Sequence, residues 1–105
     1  MIKIVVERDS QGSVHRLRVT GHAGQAPYGK DIVCAAASAL SETLIMGLTR
    51  VERAPIEYRL DDGVLDLHIT DKLSESSRSI LETFCLGFKD LADTAPDFVR
   101  YREMT

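Results

Sequence analysis

The chain has 105 residues and a mass of 11.6 kDa, room for one domain and not two. Thirteen Lys and Arg against sixteen Asp and Glu leave a net charge of −3. That balance speaks against a protein that coats nucleic acid through a broad basic face, so no direct nucleic-acid binding is expected. At 44% hydrophobic and 28% charged residues the composition is that of a folded domain, and with three Tyr, three Phe and no Trp its core rests on aliphatic side chains.

Ile2, Ile4 and Val6 alternate with Lys3, Val5 and Glu7, the period of a half-buried strand. Ser10-Gln11-Gly12 is turn chemistry, and His15, Leu17 and Val19 alternate with Arg16, Arg18 and Thr20 beyond it, which together predict a β-hairpin. Gly21 to Asp31 holds three glycines and one proline and is expected to be a loop. Its glycines, Gly21, Gly24 and Gly29, serve either a lid that orders on substrate or an ordinary irregular turn. Asp31 closes the loop as the expected N-cap of a helix from Ile32 to about Arg50. Val33, Ala37, Leu40, Leu44, Leu48 and Val51 form its sheet-facing stripe.

Ile56, Tyr58 and Leu60, a turn at Asp61-Asp62-Gly63, then Leu65, Leu67 and Ile69 predict a second hairpin. A second helix comes next, from about Ser74 to Asp93, with Ile80, Leu81, Phe84, Phe88 and Leu91 as its apolar face. Phe98 to Arg102 completes the order ββαββαβ. The expected fold is α+β: a single two-layer domain over residues 1–105, with a mainly antiparallel sheet of about five strands and two helices against it.

The N-terminus lacks the apolar run and cleavage site of a signal peptide. The longest uncharged stretch, Ile32 to Ser41, is about half a membrane span, and no membrane partner is expected. Cys34 and Cys85 stand far apart and in no C-x-x-C arrangement, which points to a reducing, cytoplasmic compartment.

Chemistry concentrates where the loop meets the first helix. Cys34 falls at about the third position of the expected helix, where free N–H groups and the helix dipole favour a thiolate and offer an oxyanion hole. Cys34, Ser38 and Ser41 share one face, which places the thiol on a small polar strip beside the apolar stripe. His22 lies twelve residues earlier, just past the second strand. A loop folded back over the helix start brings it to the thiol as a general acid/base, although a free cysteine is more often a small core hydrophobe. Asp31 either caps the helix, the favoured role, or orients His22. Tyr28 lines a substrate groove or packs over the helix.

The segments Gly21-His22-Ala23 and Gly29-Lys30-Asp31-Ile32-Val33-Cys34-Ala35-Ala36-Ala37-Ser38-Ala39 resemble the signature of the ribosomal-processing cysteine protease family, Prp. The resemblance extends over the whole chain in length and element order. It implies His22 as acid/base and Cys34 as nucleophile, and Ser38, which matches the motif, as a supporting residue; Gly21, Asp31 and Tyr28 are the further supporting or substrate-binding candidates that the loop itself offers. It further implies an endopeptidase that removes an N-terminal extension from bacterial large-subunit ribosomal protein twenty-seven. A homodimer and no cofactor or metal are part of the same expectation.

Other residues carry weaker signals. Cys85 lies near Leu81 and Phe88 and reads as core. His15 and His68 have no metal-ligand spacing to a cysteine. Arg16, Arg18, Arg59, Arg100 and Arg102 make either a basic patch, if their strands adjoin, or a solvated sheet face, the preferred reading. Two further readings compete with the protease: a non-catalytic ribosome- or RNA-associated module, and a redox-sensing thiol with Cys85 as its resolving partner.

Overall fold

The computed structural model describes residues 1–21, 28–61 and 64–105, with the backbone alone over 28–31. Strands β1 (Ile2–Arg8) and β2 (Val14–Thr20) pair as the first predicted hairpin. Its turn closes because the Asp9 carboxylate accepts the N–H groups of Gln11 and Ser13 at 2.9 and 3.0 Å. The chain reverses there through Gly12 at φ +84°. Strands β3 (Ile56–Asp61) and β4 (Val64–Ile69) form the second hairpin, and β5 (Val99–Met104) comes last.

The five strands lie in the order β3-β4-β2-β1-β5. Every pairing is antiparallel except β1 with β5, so the sheet is mixed and mainly antiparallel, within the expected α+β class. Two helices complete the order ββαββαβ: α1 (Tyr28–Met46) and α2 (Glu75–Thr94). Period-two alternation gives the sheet one apolar face, with Ile2, Ile4, Val6, Leu17, Val19, Leu65 and Leu67 all buried. Against it pack Val33, Cys34, Ala37, Leu44 and Leu48 from the first helix and Leu81, Cys85 and Phe88 from the second. Full burial of a side chain such as Phe88 contributes about 2–3 kcal/mol.

Two details differ from expectation. The helix continues past Met46 as a π-helical turn, Gly47–Val51. A π turn fits an extra residue into the turn and rotates the residues beyond it out of the stripe. Leu48 therefore stays in the core, while Val51, expected to face the sheet, is 74% exposed. The segment Ile32–Val51 is also long and apolar enough, by length and composition, to cross a membrane. Counting the uncharged stretch only as far as Ser41 overlooked this, because Glu42 and Arg50 are the only charges in those twenty residues. One side of this helix is nevertheless built into the protein core.

The start of α2 is fixed by polar contacts. Ser74 caps it by accepting the Ser77 N–H at 3.1 Å. The Glu52 carboxylate accepts the hydroxyls of Ser74, Ser76 and Ser77, and these bonds, led by that of Ser76, hold its pKa below the usual range. At the other end of the sheet Arg8 binds both oxygens of Glu82 on α2 and reaches Glu103 on β5, tying three elements together. The Arg8 hydrogen bond lowers the Glu103 pKa. A depressed carboxyl pKa contributes stability that is present above the unfolded value and lost as pH falls through the folded one. The Glu103→Gln variant is therefore expected to be less stable than the parent at pH 7 and to lose less further stability between about pH 4.5 and pH 2, as followed by urea melts.

Candidate active site

The site is built where β2 leaves the sheet and α1 begins. Thr20 at the end of β2 pairs with Lys3 at the start of β1, so the chain exits level with the first residues. Gly21 then turns at φ +92°, and a β-carbon built on it would lie 2.1 Å from the Met1 carbonyl oxygen. Only glycine satisfies both the backbone angle and that close approach. Glycine at position 21 is thus required by the backbone where β2 ends.

His22 and Gly24 lie outside the described residues. Tyr28, Gly29 and Asp31 fall within α1 and are described by backbone only. Asp31 is not the N-cap: α1 begins at Tyr28, which makes Asp31 its fourth residue. Pro27 directly before Tyr28 is the sequence cue for this earlier start, since proline favours helix beginnings and the glycines around it masked the signal.

The earlier start also moves Cys34. It is the seventh residue of α1 and not about the third. A residue at that depth has its N–H in the helix's own hydrogen-bond ladder, so an oxyanion hole made from first-turn donors at Cys34 itself is not what the backbone provides. Nor does the thiol lie on a polar strip beside the stripe, for Cys34 is 3% exposed and belongs to the hydrophobic core with Val33 and Ala37.

The polar strip exists one turn further along. Ser41 is buried and donates to the Ala37 carbonyl at 2.8 Å, while Ser38 is half-buried. Ala37, Ser38, Ser41 and Glu42 form one wall of a groove of about 380 Å³. Its other walls come from Ile2, Val19 and Thr20 and from Leu60, Asp61, Val64 and Leu65 of the second hairpin. The groove therefore runs from the β2 exit, along the helix side that carries Cys34 one turn earlier, to the β3–β4 strands. Its lining mixes apolar side chains with a few polar ones, the make-up common to ligand-binding clefts. Asp61 in that lining is engaged by Arg59 at 2.6 Å.

Cys85 has no comparable setting. It is 2% exposed beneath the Arg8–Glu82–Glu103 contacts, and burial, assisted by the Glu82 charge, pushes its pKa up to about 12. Both cysteines are free thiols. Among the described residues no group of three or more His, Cys, Asp or Glu is placed to hold a metal ion.

What the described residues place together is a buried helical thiol, Cys34, one turn before a groove lined by Ala37, Ser38 and Ser41 of the same helix. The comparisons with known proteins narrow this. The chain belongs to the cysteine protease Prp family, whose model matches residues 1–100, and it is accordingly a cysteine protease. It is 31% identical over 103 residues to the ribosomal processing cysteine protease Prp of Staphylococcus aureus, covering 95% of this chain and 96% of that one. A crystal structure from Streptococcus mutans superposes with a TM-score of 0.88 at 35% identity, covering 100% of this chain and 95% of that one. The S. aureus Prp in complex with a substrate peptide superposes with a TM-score of 0.89 at 23% identity, covering 98% and 99% of the two chains. That likeness shows the same fold.

Proposed function

We propose that the protein is an endopeptidase that removes the N-terminal extension of bacterial large-subunit ribosomal protein twenty-seven, with Cys34 as nucleophile and His22 as acid/base. The observation that carries this reading is the groove of about 380 Å³ between α1 and the strand ends, beside the helix that bears Cys34. The Cys34 thiolate attacks the scissile carbonyl and forms a thioester as the C–N bond breaks. His22 delivers a proton to the leaving amine and then takes one from the water that hydrolyses the thioester. Ser38 lines the groove and contacts the bound chain. The name of the S. aureus relative, a ribosomal processing protease, supports the substrate class.

The test is cleavage of a synthetic peptide spanning the extension and the start of the mature ribosomal protein, read by mass spectrometry. A single cut at the junction supports the reading, and an intact peptide in the presence of active enzyme overturns it.

A homodimer in the cytoplasm fits the remaining surface. Val51, Leu86, Ile32 and Met46 on the two helices are exposed by 74%, 68%, 55% and 41%, apolar positions open to contact with a second copy. Two free thiols suit a reducing compartment. The Leu86→Glu variant is expected to elute as a monomer in light-scattering chromatography while the parent elutes as a dimer. Equal masses for the two would remove Leu86 from the interface.

A further inference from the structure

The sheet has a second face, turned away from both helices, and its charges are sorted. Asp66 on β4 is held by Arg16 through two bonds of 2.9 and 3.0 Å, with His68 at 3.2 Å, and Asp61 on β3 is held by Arg59. Of the β3 and β4 carboxylates, Asp61 and Asp66 are thus engaged, while Glu57, in register with His68 on β4, is exposed. Glu7, at the far end of β1, faces Arg16 at 3.8 Å. Across the rest of β2, β1 and β5 the picture is reversed. Lys3 pairs in register with Arg100, while Arg18, Val5 and Arg102 form the adjacent row. Lys3, Arg18, Arg100 and Arg102 surround Val5, and none has a hydrogen-bonded or ion-paired carboxylate among the described residues. Asp66, the cross-strand neighbour of Arg18, is hydrogen-bonded by Arg16 and reached by Arg18 only through space. The Arg18 Nε is buried with no hydrogen-bond partner at all.

Like charges directly opposite one another on neighbouring strands are destabilising, and a buried guanidinium N–H without an acceptor is costly. Both costs are relieved by an anion laid across the three strands. One cation on β2, one on β1 and two at alternate positions on β5, on strands about 4.8 Å apart, present a spread of charge that matches a chain of anions better than a single small ion. The acidic net charge of −3 conceals this array because most carboxylates lie elsewhere.

We propose that the open face of β2, β1 and β5 binds the phosphate backbone of RNA through Lys3, Arg18, Arg100 and Arg102. The face lies opposite the groove, so peptide and RNA are bound independently. Binding is read through charge and not through base identity, because the face carries guanidinium and ammonium groups around one aliphatic side chain and no aromatic platform at its centre. The inference stands apart from the peptidase reading and neither needs the other.

The test is fluorescence anisotropy of a fluorescein-labelled single-stranded RNA of about 20 nucleotides with the full chain. Four phosphate contacts predict affinity falling about 50-fold between about 50 and 200 mM salt. The R100E/R102E variant is expected to bind at least about tenfold more weakly with a salt slope smaller by about 1.4, while peptide cleavage and the circular dichroism spectrum stay unchanged. No binding at 50 mM salt, or a variant that binds as the parent does, overturns the proposal. Polyglutamate that binds more tightly than the RNA at equal charge and salt would assign the face to an acidic protein and likewise overturn it.

Discussion

Replacing Cys34 by alanine is expected to lower the rate of peptide cleavage at least about 10⁴-fold, more than about 5 kcal/mol of transition-state stabilisation. The loss is chemical and not structural. Cys34 is buried in the core beside Val33 and Ala37, and removing one sulfur there costs about 1 kcal/mol of stability, too little to unfold the domain. A thermal melt beside the rate measurement separates the two effects. The Cys34→Ser variant should be comparably inactive, because an unassisted hydroxyl is a far weaker nucleophile than a thiolate. His22→Ala is expected to lose about 10²–10⁴-fold, the range of a general acid/base. Cleavage undiminished in Cys34→Ala would sink the proposed mechanism. The 3% exposure of the thiol has a further corollary: iodoacetamide should alkylate Cys34 slowly in the free enzyme, and Cys85 still more slowly.

The second large effect is expected at Gly21. Its φ of +92° costs any other residue about 1–3 kcal/mol, and a β-carbon would lie 2.1 Å from a backbone oxygen of Met1 that no rotamer change can move. The start of β1 or the β2 exit must therefore shift. Gly21→Ala is expected to cost about 2–4 kcal/mol in urea unfolding and to depress kcat, because residue 22 is the next in the chain. Gly12 is the internal control. It has φ +84° with nothing within 4 Å of its would-be β-carbon, so Gly12→Ala isolates the backbone strain and should cost about 1 kcal/mol with kcat unchanged. Equal effects at the two positions would show that the Met1 contact is immaterial.

The strands and the second helix were legible because each rests on local signals. Alternation at Ile2, Ile4 and Val6, the Gly12 turn and the Ser74 start are written in neighbouring residues, and each reappears in place. Three features were not legible, for three physical reasons. The helix start was hidden because glycines around Pro27 read as loop, and with it went the capping role of Asp31 and the first-turn position of Cys34. Val51 was misplaced because its stripe assumes 3.6 residues per turn throughout, and the π turn breaks that period. The groove draws on residues as distant in sequence as Ile2, Ser41 and Leu65, and it exists only once β4 pairs with β2. Pairing between distant strands leaves no mark on a local pattern. The resemblance supplied the family, and the structure supplied the reason for Gly21.

The parallel pairing of β1 with β5 has a kinetic consequence. The first strand sits between β2 and β5, and the Ile2 N–H bonds the Phe98 carbonyl at 2.8 Å, across nearly the whole chain. Closing so long a loop is an entropic cost met late, and contacts of this separation slow folding. During synthesis β1 and β2 emerge first and must wait for the last strand, with one side of β1 left as an open edge able to pair with another chain. The groove shares Ile2 with that edge, so the pairing that seats β5 also fixes one of the groove's walls.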